Sequence, residues 1–240
     1  HRDRDHPTTP AAARRLGRVF RHLHLQYVAR VRLHRTISSD RPLLVVALEE
    51  EATHLHVSDL PVLVTGVGKV NAAIAVALTL ADASPSAVVN LGTAGALRDD
   101  VAGTHVVGTV VQHDLDDDAL FGLTGMRFGE PVRLTDAGLT LATGDVFVSD
   151  PATRERLART ADLVDMEGYA VALAARAAGV PVTLVKQVSD RAGGLGGADV
   201  EAERRRVRRA TGRMGPGGAA RVATPRSPSG RGRTPACDGP

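Results

Sequence analysis

Two apolar runs that end in carboxylates constrain the fold of this chain more than any other feature. The first run is LVDMEG at residues 163–168, and the second, LVKQVSD, begins about twenty residues later at residues 184–190. An Ala-rich segment closed by Gly179 separates them and is long enough for a crossover helix. Because ligands of open α/β sheets bind beyond the carboxyl ends of the strands, the two runs predict a small-molecule site at one sheet edge.

The same alternation of apolar runs and helical segments extends over residues 43–190. Helices are predicted over about residues 69–83, after Pro151, and over residues 170–178. The predicted strands are Leu43–Leu48, Val62–Thr65, Ala87–Leu91, Val106–Gln112, Leu139–Val148, Leu163–Met166 and Val180–Val188, and Gly144 interrupts the fifth of them. Strands that alternate with helices in this way are typical of βαβ units, so the sequence predicts an α/β fold with a largely parallel sheet.

The net charge of +3 is distributed unevenly along the 240 residues. Residues 1–42 carry ten arginines against three aspartates, and residues 191–240 carry eleven arginines against four acidic residues, whereas the segment between them is acidic. We therefore predict three parts. They are a basic, poorly ordered extension over 1–42, an α/β domain over 43–193, and an Arg/Gly/Pro-rich tail over 194–240 that is disordered or outside the domain's fold.

Composition argues against several classes of site. Aromatic residues make up 2% of the chain, so no base-stacking platform for specific nucleic-acid binding accompanies the arginines. The single Cys237 leaves no disulfide framework and no cysteine zinc site, which favours a reducing cytoplasm. No apolar run reaches the roughly 18–20 residues that span a bilayer. The loop acids 116–118 lack an ordered metal-ligand spacing, so neither a membrane nor a metal is expected.

Four more blocks lie in a fixed order along the predicted domain. They are LEEE at 48–51, GVGKVNAA at 66–73, NLGTAG at 90–95 and GDVFVSD at 144–150. Together with the two carboxylate runs they resemble the nucleoside phosphorylase/nucleosidase superfamily, and most closely its 5′-methylthioadenosine/S-adenosylhomocysteine nucleosidases of actinobacterial type. The resemblance implies a three-layer α/β/α sandwich around a mixed, largely parallel sheet. It also implies a homodimer that hydrolyses the N-glycosidic bond of these nucleosides and releases adenine without a cofactor.

The resemblance assigns Asp190 as the general acid that protonates N7 of the leaving adenine, with Ser189 orienting it. An ordinary aspartic acid has a pKa of about 3.9, so this role requires burial or contact with the neutral purine to retain the proton. Judged from the residues alone, the Ser-Asp pair also fits the N-cap of a following helix.

Two glutamates complete the chemistry that the resemblance implies. Glu167 would hold the ribose hydroxyls and stabilise the cationic ribosyl centre, with Met166 packed against the sugar, and Glu51 would polarise the attacking water. The residues themselves leave alternatives open. Glu167, or Asp165 before it, also suits the N-terminus of a helix, and the three consecutive glutamates 49–51 are also typical of a solvated loop.

The remaining predicted contacts surround the substrate. The resemblance places Thr93 beside the water and sugar, Phe147 on the adenine face, the Val148 backbone at the adenine edge, and Val67 and Lys186 in the pocket wall. Thr93 also fits an ordinary tight turn, and Phe147 an ordinary core position. Lys186 occupies a position where many members carry arginine, so a point charge replaces a bidentate fork.

The sequence is also compatible with three other functions. A phosphorylase of the same fold would attack C1′ with phosphate and would need several cationic groups, whereas the strand ends offer mainly Lys186. An inactive relative that still binds adenine nucleosides is a second alternative. A third is a non-catalytic protein whose basic ends bind nucleic acid by neutralising phosphates.

Overall fold

The structure is a computed structural model that describes residues 31–53, 55 and 58–192, with the main chain alone for Asp190 and Arg191. Its strands are β1 (Arg32–His34), β2 (Leu43–Val46), β3 (Val62–Val64), β4 (Val88–Ala96), β5 (Thr104–Gln112), β6 (Val132–Arg133), β7 (Leu139–Thr143), β8 (Leu163–Asp165) and β9 (Val182–Arg191). Its helices are α1 (Glu49–Thr53), α2 (Lys69–Asp82), α3 (Asp117–Thr124), α4 (Pro151–Leu157) and α5 (Gly168–Ala177).

The strands form one mixed sheet in which part of the order closes on itself. Parallel ladders join β3 to β2, β2 to β4, β4 to β9, β5 to β7 and β7 to β8. Antiparallel ladders join β1 to β3, β4 to β8, β5 to β6 and β5 to β9. Strands β4, β8, β7, β5 and β9 therefore form a closed ring, from which β2, β3 and β1 extend as an open sheet. The predicted α/β fold with a mixed, largely parallel sheet is confirmed.

Alternating side chains of the open sheet pack against helices on both faces. Leu43 and Val45 of β2 lie in a core with Val76 of α2 and Val171 of α5. Leu44 and Val46, which point the other way, pack with residues at and after α1. Because both faces of β2 are covered, its four residues are all apolar and buried, which is typical of a strand inside an α/β layer structure.

Local signals explain where two of the helices begin and end. Asp150 Oδ1 accepts the N–H of Thr153 at 2.8 Å, and Pro151 occupies the first helical position of α4. Gly179 follows α5 with a φ of +69°, as the predicted stop at this glycine requires.

Three predicted strand ends are wrong. β4 continues through Gly92 and Gly95 to Ala96 because it pairs with β9 along its length, and these ladder hydrogen bonds hold the glycines in extended backbone. β7 ends at Thr143 instead of Val148. At Gly144 the His113 ring lies 2.4 Å from where a Cβ would be, so the chain turns around the imidazole there. β9 extends beyond Val188 to Arg191.

The described sheet begins before Leu43. β1 lies within the segment that the charge pattern assigns to the N-terminal extension, and it pairs with β3 at the edge of the sheet. Residues 1–30 and 193–240, which hold most of the two predicted basic ends, lie outside the described residues. Among the helices that the structure describes, none has the length and apolar character needed to cross a membrane.

Candidate active site

One cavity of about 230 Å³ opens at the edge where β4, β8 and β9 meet α1. Nine of the ten predicted site residues line it: Glu51, Val67, Thr93, Phe147, Val148, Met166, Glu167, Lys186 and Ser189. The side chain of the tenth, Asp190, lies outside the described part of the chain. Its main chain pairs with Gly95 of β4, next to Ser189. The structure thus brings together residues that are separated by more than a hundred positions in the sequence.

Glu51 is the one glutamate of its triplet that turns into the protein. β2 ends at Val46 and the chain bends into α1, which leaves the N–H groups of Ala47 and Leu48 without sheet partners. Both donate to Glu51 Oε2 at 3.0 Å, and the residue is only 5% exposed. Burial raises the pKa of the Glu51 carboxyl, although these hydrogen bonds and Lys186 oppose the shift. The solvated-loop alternative for Glu51 is therefore wrong.

A buried ion pair lies beneath the cavity. Lys186 Nζ is 2.8 Å from Asp165 Oδ2, and both side chains are almost fully inaccessible to solvent. Asp165 also accepts the hydroxyl of Thr143 at 2.6 Å and the N–H of Gly168, the first residue of α5, at 2.9 Å. Asp165 thus satisfies the N-terminus of α5, as one of the two alternatives for this pair of acids predicts.

The Glu167 side chain does not cap α5 and points towards the start of α2 instead. Its Oε1 accepts the N–H of Gly68 at 2.8 Å, at the start of α2, and the residue is 9% exposed. Burial, followed by the nearby negative charge of Asp165, raises the pKa of Glu167 to about 7, while Lys186 works in the opposite direction. Glu167 therefore changes its charge near neutral pH.

Lys186 is the cation among these acids. Burial alone would lower the pKa of its ammonium group, but Asp165, Glu167 and Glu51 outweigh burial and raise it. Gly92 allows this arrangement. A Cβ on Gly92 would lie 3.4 Å from Lys186 Nζ and 3.5 Å from Glu51 Oε1, so the absence of a side chain leaves room for both groups beside β4. The acidic groups of Asp165, Glu167 and Glu51 thus favour the charged form of the Lys186 ammonium group.

The mouth of the cavity is apolar. Phe147 is 57% exposed although it contacts the cavity, so the interpretation of Phe147 as a core side chain is wrong. Val148, one residue on, is buried in a cluster with Leu157 and Val164 and anchors the segment. An exposed aromatic ring held over a cavity by a buried neighbour suits the flat face of a base.

Several residues around the site were not predicted from the sequence. Thr143 supports Asp165, and Asn90 lines the cavity from β4. Asp145 binds the main chain at the start of α2, 76 residues away in sequence. The only sequence signal for Asp145 was its place in the GDVFVSD block. Among the described residues no group of histidine, cysteine or acidic side chains is arranged to hold a metal ion.

Comparison with known proteins agrees with the fold. A family model described as the phosphorylase superfamily matches residues 49–142 and 137–215 of the chain. A 5′-methylthioadenosine/S-adenosylhomocysteine nucleosidase of Shewanella halifaxensis is 30% identical over 173 residues, which cover 62% of this chain and 75% of that protein. The Bacillus subtilis protein of the same name is 34% identical over 154 residues, covering 54% and 67%.

The fold is also similar to solved structures. A futalosine hydrolase mutant of Helicobacter pylori superposes with a TM-score of 0.63 at 18% sequence identity, covering 72% of this chain and 94% of that chain. At this level of identity the superposition concerns the fold alone. The family resemblance found in the sequence blocks is confirmed by these comparisons.

Proposed function

The chain belongs to the phosphorylase superfamily, and from this premise we propose that it hydrolyses the N-glycosidic bond of 5′-methylthioadenosine or S-adenosylhomocysteine and releases adenine. The observation that carries the proposal is the placement of Glu51, Lys186 and Glu167 around one cavity with an apolar, aromatic mouth. The two named relatives described above are nucleosidases for these substrates.

The proposed reaction assigns each group one task. A water molecule attacks C1′ of the ribose and gives its proton to Glu51, whose pKa is raised by burial and which is therefore a stronger base than an exposed glutamate. The C1′–N9 bond breaks, its electron pair leaves with the purine, and Asp190 gives its proton to N7. Ionised Glu167 stabilises the positive charge that grows on the ribosyl group as the bond breaks.

Charge in the cavity supports water over phosphate as the nucleophile. Asp165, Glu51 and Glu167 surround the buried ammonium group of Lys186, and Asp165 already pairs with it. A phosphate dianion would have to enter next to these carboxylates, which electrostatics disfavours. A phosphorylase needs the opposite balance of charge.

The test of the proposed function is an adenine-release assay on both nucleosides, with and without phosphate. We expect adenine and the free 5′-alkylthioribose as products, at a rate that does not depend on phosphate. If a ribose 1-phosphate forms, the reaction is phosphorolysis and not hydrolysis. If neither nucleoside releases adenine, the proposal is contradicted. Futalosine belongs in the same substrate panel, because a futalosine hydrolase shares the fold.

A homodimer is part of the proposal. α3 buries none of its residues, and Phe121 and Leu123 on it, with Met126 and Phe128 just beyond, are between 45% and 83% exposed. Apolar side chains at this density favour burial against another surface, and a second copy of the chain is the partner that the family resemblance implies. Sedimentation equilibrium that finds a monomer at micromolar concentration would contradict the dimer.

The pH dependence of activity follows from Glu167. Because its pKa is about 7 and the ionised form is the one required, we expect kcat/KM to rise with pH through about 7.

The free energy of unfolding should change with pH in the opposite sense. In the folded protein the pKa of Glu167 is raised above the ordinary 4.5. The contribution of protonated Glu167 to folding stability is therefore complete below pH 4.5 and is lost as the pH rises through about 7.

A pH–rate profile of the wild type and Glu167→Gln measures this rise of kcat/KM with pH. The variant should be much slower and should lack the rise near pH 7. His113→Gln is the control, because burial lowers the pKa of that imidazole and the ring lies behind Gly144 instead of in the cavity wall. If the rise of kcat/KM near pH 7 persists in Glu167→Gln and vanishes in His113→Gln, the group that titrates is His113 and not Glu167.

A further inference from the structure

Two separate segments form the mouth of the cavity. One is residues 66–68, which precede α2 and include Val67, and the other is residues 144–148, which follow β7 and include Phe147. Both Val67 and Phe147 are exposed apolar side chains, so little apolar packing holds the two segments together. Polar contacts therefore set the distance between the two segments.

A set of hydrogen bonds joins these segments. Asp145 Oδ1 accepts the main-chain N–H of Lys69 at 2.7 Å, and Asp145 N–H donates to Asp114 Oδ2 at 2.8 Å. Lys69 Nζ in turn lies 2.6 Å from Asp114 Oδ1 and 3.0 Å from Gln112 Oε1. We call this set of four contacts the Asp145 clasp.

The clasp holds the peptide group next to the one that binds Glu167. Two successive N–H groups open α2: that of Gly68 donates to Glu167 Oε1, and that of Lys69 donates to Asp145 Oδ1. Gly68 has a φ of +97°, and a Cβ on it would lie only 3.1 Å from Asp145 Oδ1. The direction of the Gly68 N–H therefore depends on where Asp145 holds the next residue.

We propose that Asp145 is a positioning residue of the active site, which aims the Gly68 N–H at Glu167 and fixes the Phe147 segment over the cavity. Asp145 does not itself line the cavity; it acts through Gly68 and Phe147. This inference builds on the proposed function, because it concerns the glutamate that the proposal places against the sugar.

A purely structural role is the competing explanation, and the contacts argue against it. The base of the segment is anchored without the Asp145 side chain, since Gly144 N–H donates to the Asp165 carbonyl at 3.1 Å and Val148 is buried in the core. The Asp145 side chain itself is exposed, and exposed polar contacts contribute little to folding stability. Its loss should therefore alter the site more than the fold.

The test compares Asp145→Ala with Asp145→Asn. Alanine removes the acceptor for the Lys69 N–H, whereas asparagine keeps an oxygen in the same place. We expect Asp145→Ala to raise KM by about tenfold or more, the usual effect of losing a hydrogen bond to a charged group, with a smaller change in kcat and an unchanged Tm. Asp145→Asn should recover most of the affinity. Asp136→Ala, which removes an exposed carboxylate on the loop between β6 and β7, is the matched control.

A second readout works without turnover. The Gly68 hydrogen bond lowers the pKa of Glu167, so a misdirected Gly68 N–H should move the titration of the Glu167 carboxyl carbon, followed by NMR, to higher pH in Asp145→Ala. An unchanged KM and titration in Asp145→Ala would overturn the inference. An equal loss of Tm and activity in both Asp145 variants would overturn it too. If the wild type cleaves no nucleoside but the titration still shifts, the proposed function fails and the positioning role stands.

Discussion

Asp190→Asn is expected to lower the rate of adenine release by about 10²–10⁴-fold, the usual contribution of a positioned general acid. Asparagine can still donate a hydrogen bond to N7, but it has no proton to transfer as the C1′–N9 bond breaks. The Asp190 main chain pairs with Gly95 in β4, and its neighbour Ser189 lines the cavity, so the residue lies at the strand end where the proposal needs an acid.

The loss should appear in kcat, with KM close to that of the wild type, because the neutral amide preserves binding of the purine. A ribosyl substrate with a nitrophenolate leaving group sharpens the test. Such a group departs without protonation, so Asp190→Asn should cleave it at nearly the wild-type rate. Asp100→Asn, which alters an exposed carboxylate paired with Arg98, is the control. Equal adenine release by the wild type and Asp190→Asn would remove Asp190 from its role.

The parts of the fold that depend on local pattern were predictable. The helix over residues 69–83 and the stop at Gly179 follow from periodicity and glycine conformation, and the structure has both. Strand direction carries no such local signal. β8 runs antiparallel to β4 although its apolar sequence resembles those of the parallel strands, and ring closure through β9 depends on pairing between distant segments.

The site shows the same division. The family resemblance selected Glu51, but the residues alone gave no reason to prefer it over Glu49 or Glu50, because all three follow the same predicted strand. The structure separates them: Glu51 receives two main-chain N–H groups, Glu50 is exposed, and Glu49 lies 3.0 Å from His34. Which glutamate turns inward depends on where β2 ends. Pattern places strand ends only to within a few residues, and at β7 it missed by five positions.

Replacing Lys186 should have the largest effect on stability. Lys186→Met removes the cation that pairs with Asp165 and leaves a buried carboxylate without its partner, which typically costs about 3–5 kcal/mol of unfolding free energy. Arg133→Met is the matched control. It breaks the exposed pair with Asp136 and should cost about 0–1 kcal/mol. Urea unfolding of the two variants and the wild type at pH 8 measures the difference.

The pH dependence of that loss tests the electrostatic explanation. Lys186 holds down the pKa of Glu167, so in Lys186→Met this pKa should rise above the wild-type value of about 7. At pH 8 the negative charges of both Asp165 and Glu167 interact with Lys186 in the wild type. At pH 5 Glu167 is protonated, so the loss of Lys186 removes a weaker interaction. The destabilisation by Lys186→Met should therefore be smaller at pH 5 than at pH 8. An equal loss at both values would mean that packing of the lysine side chain, and not its charge among three carboxylates, stabilises this edge of the sheet.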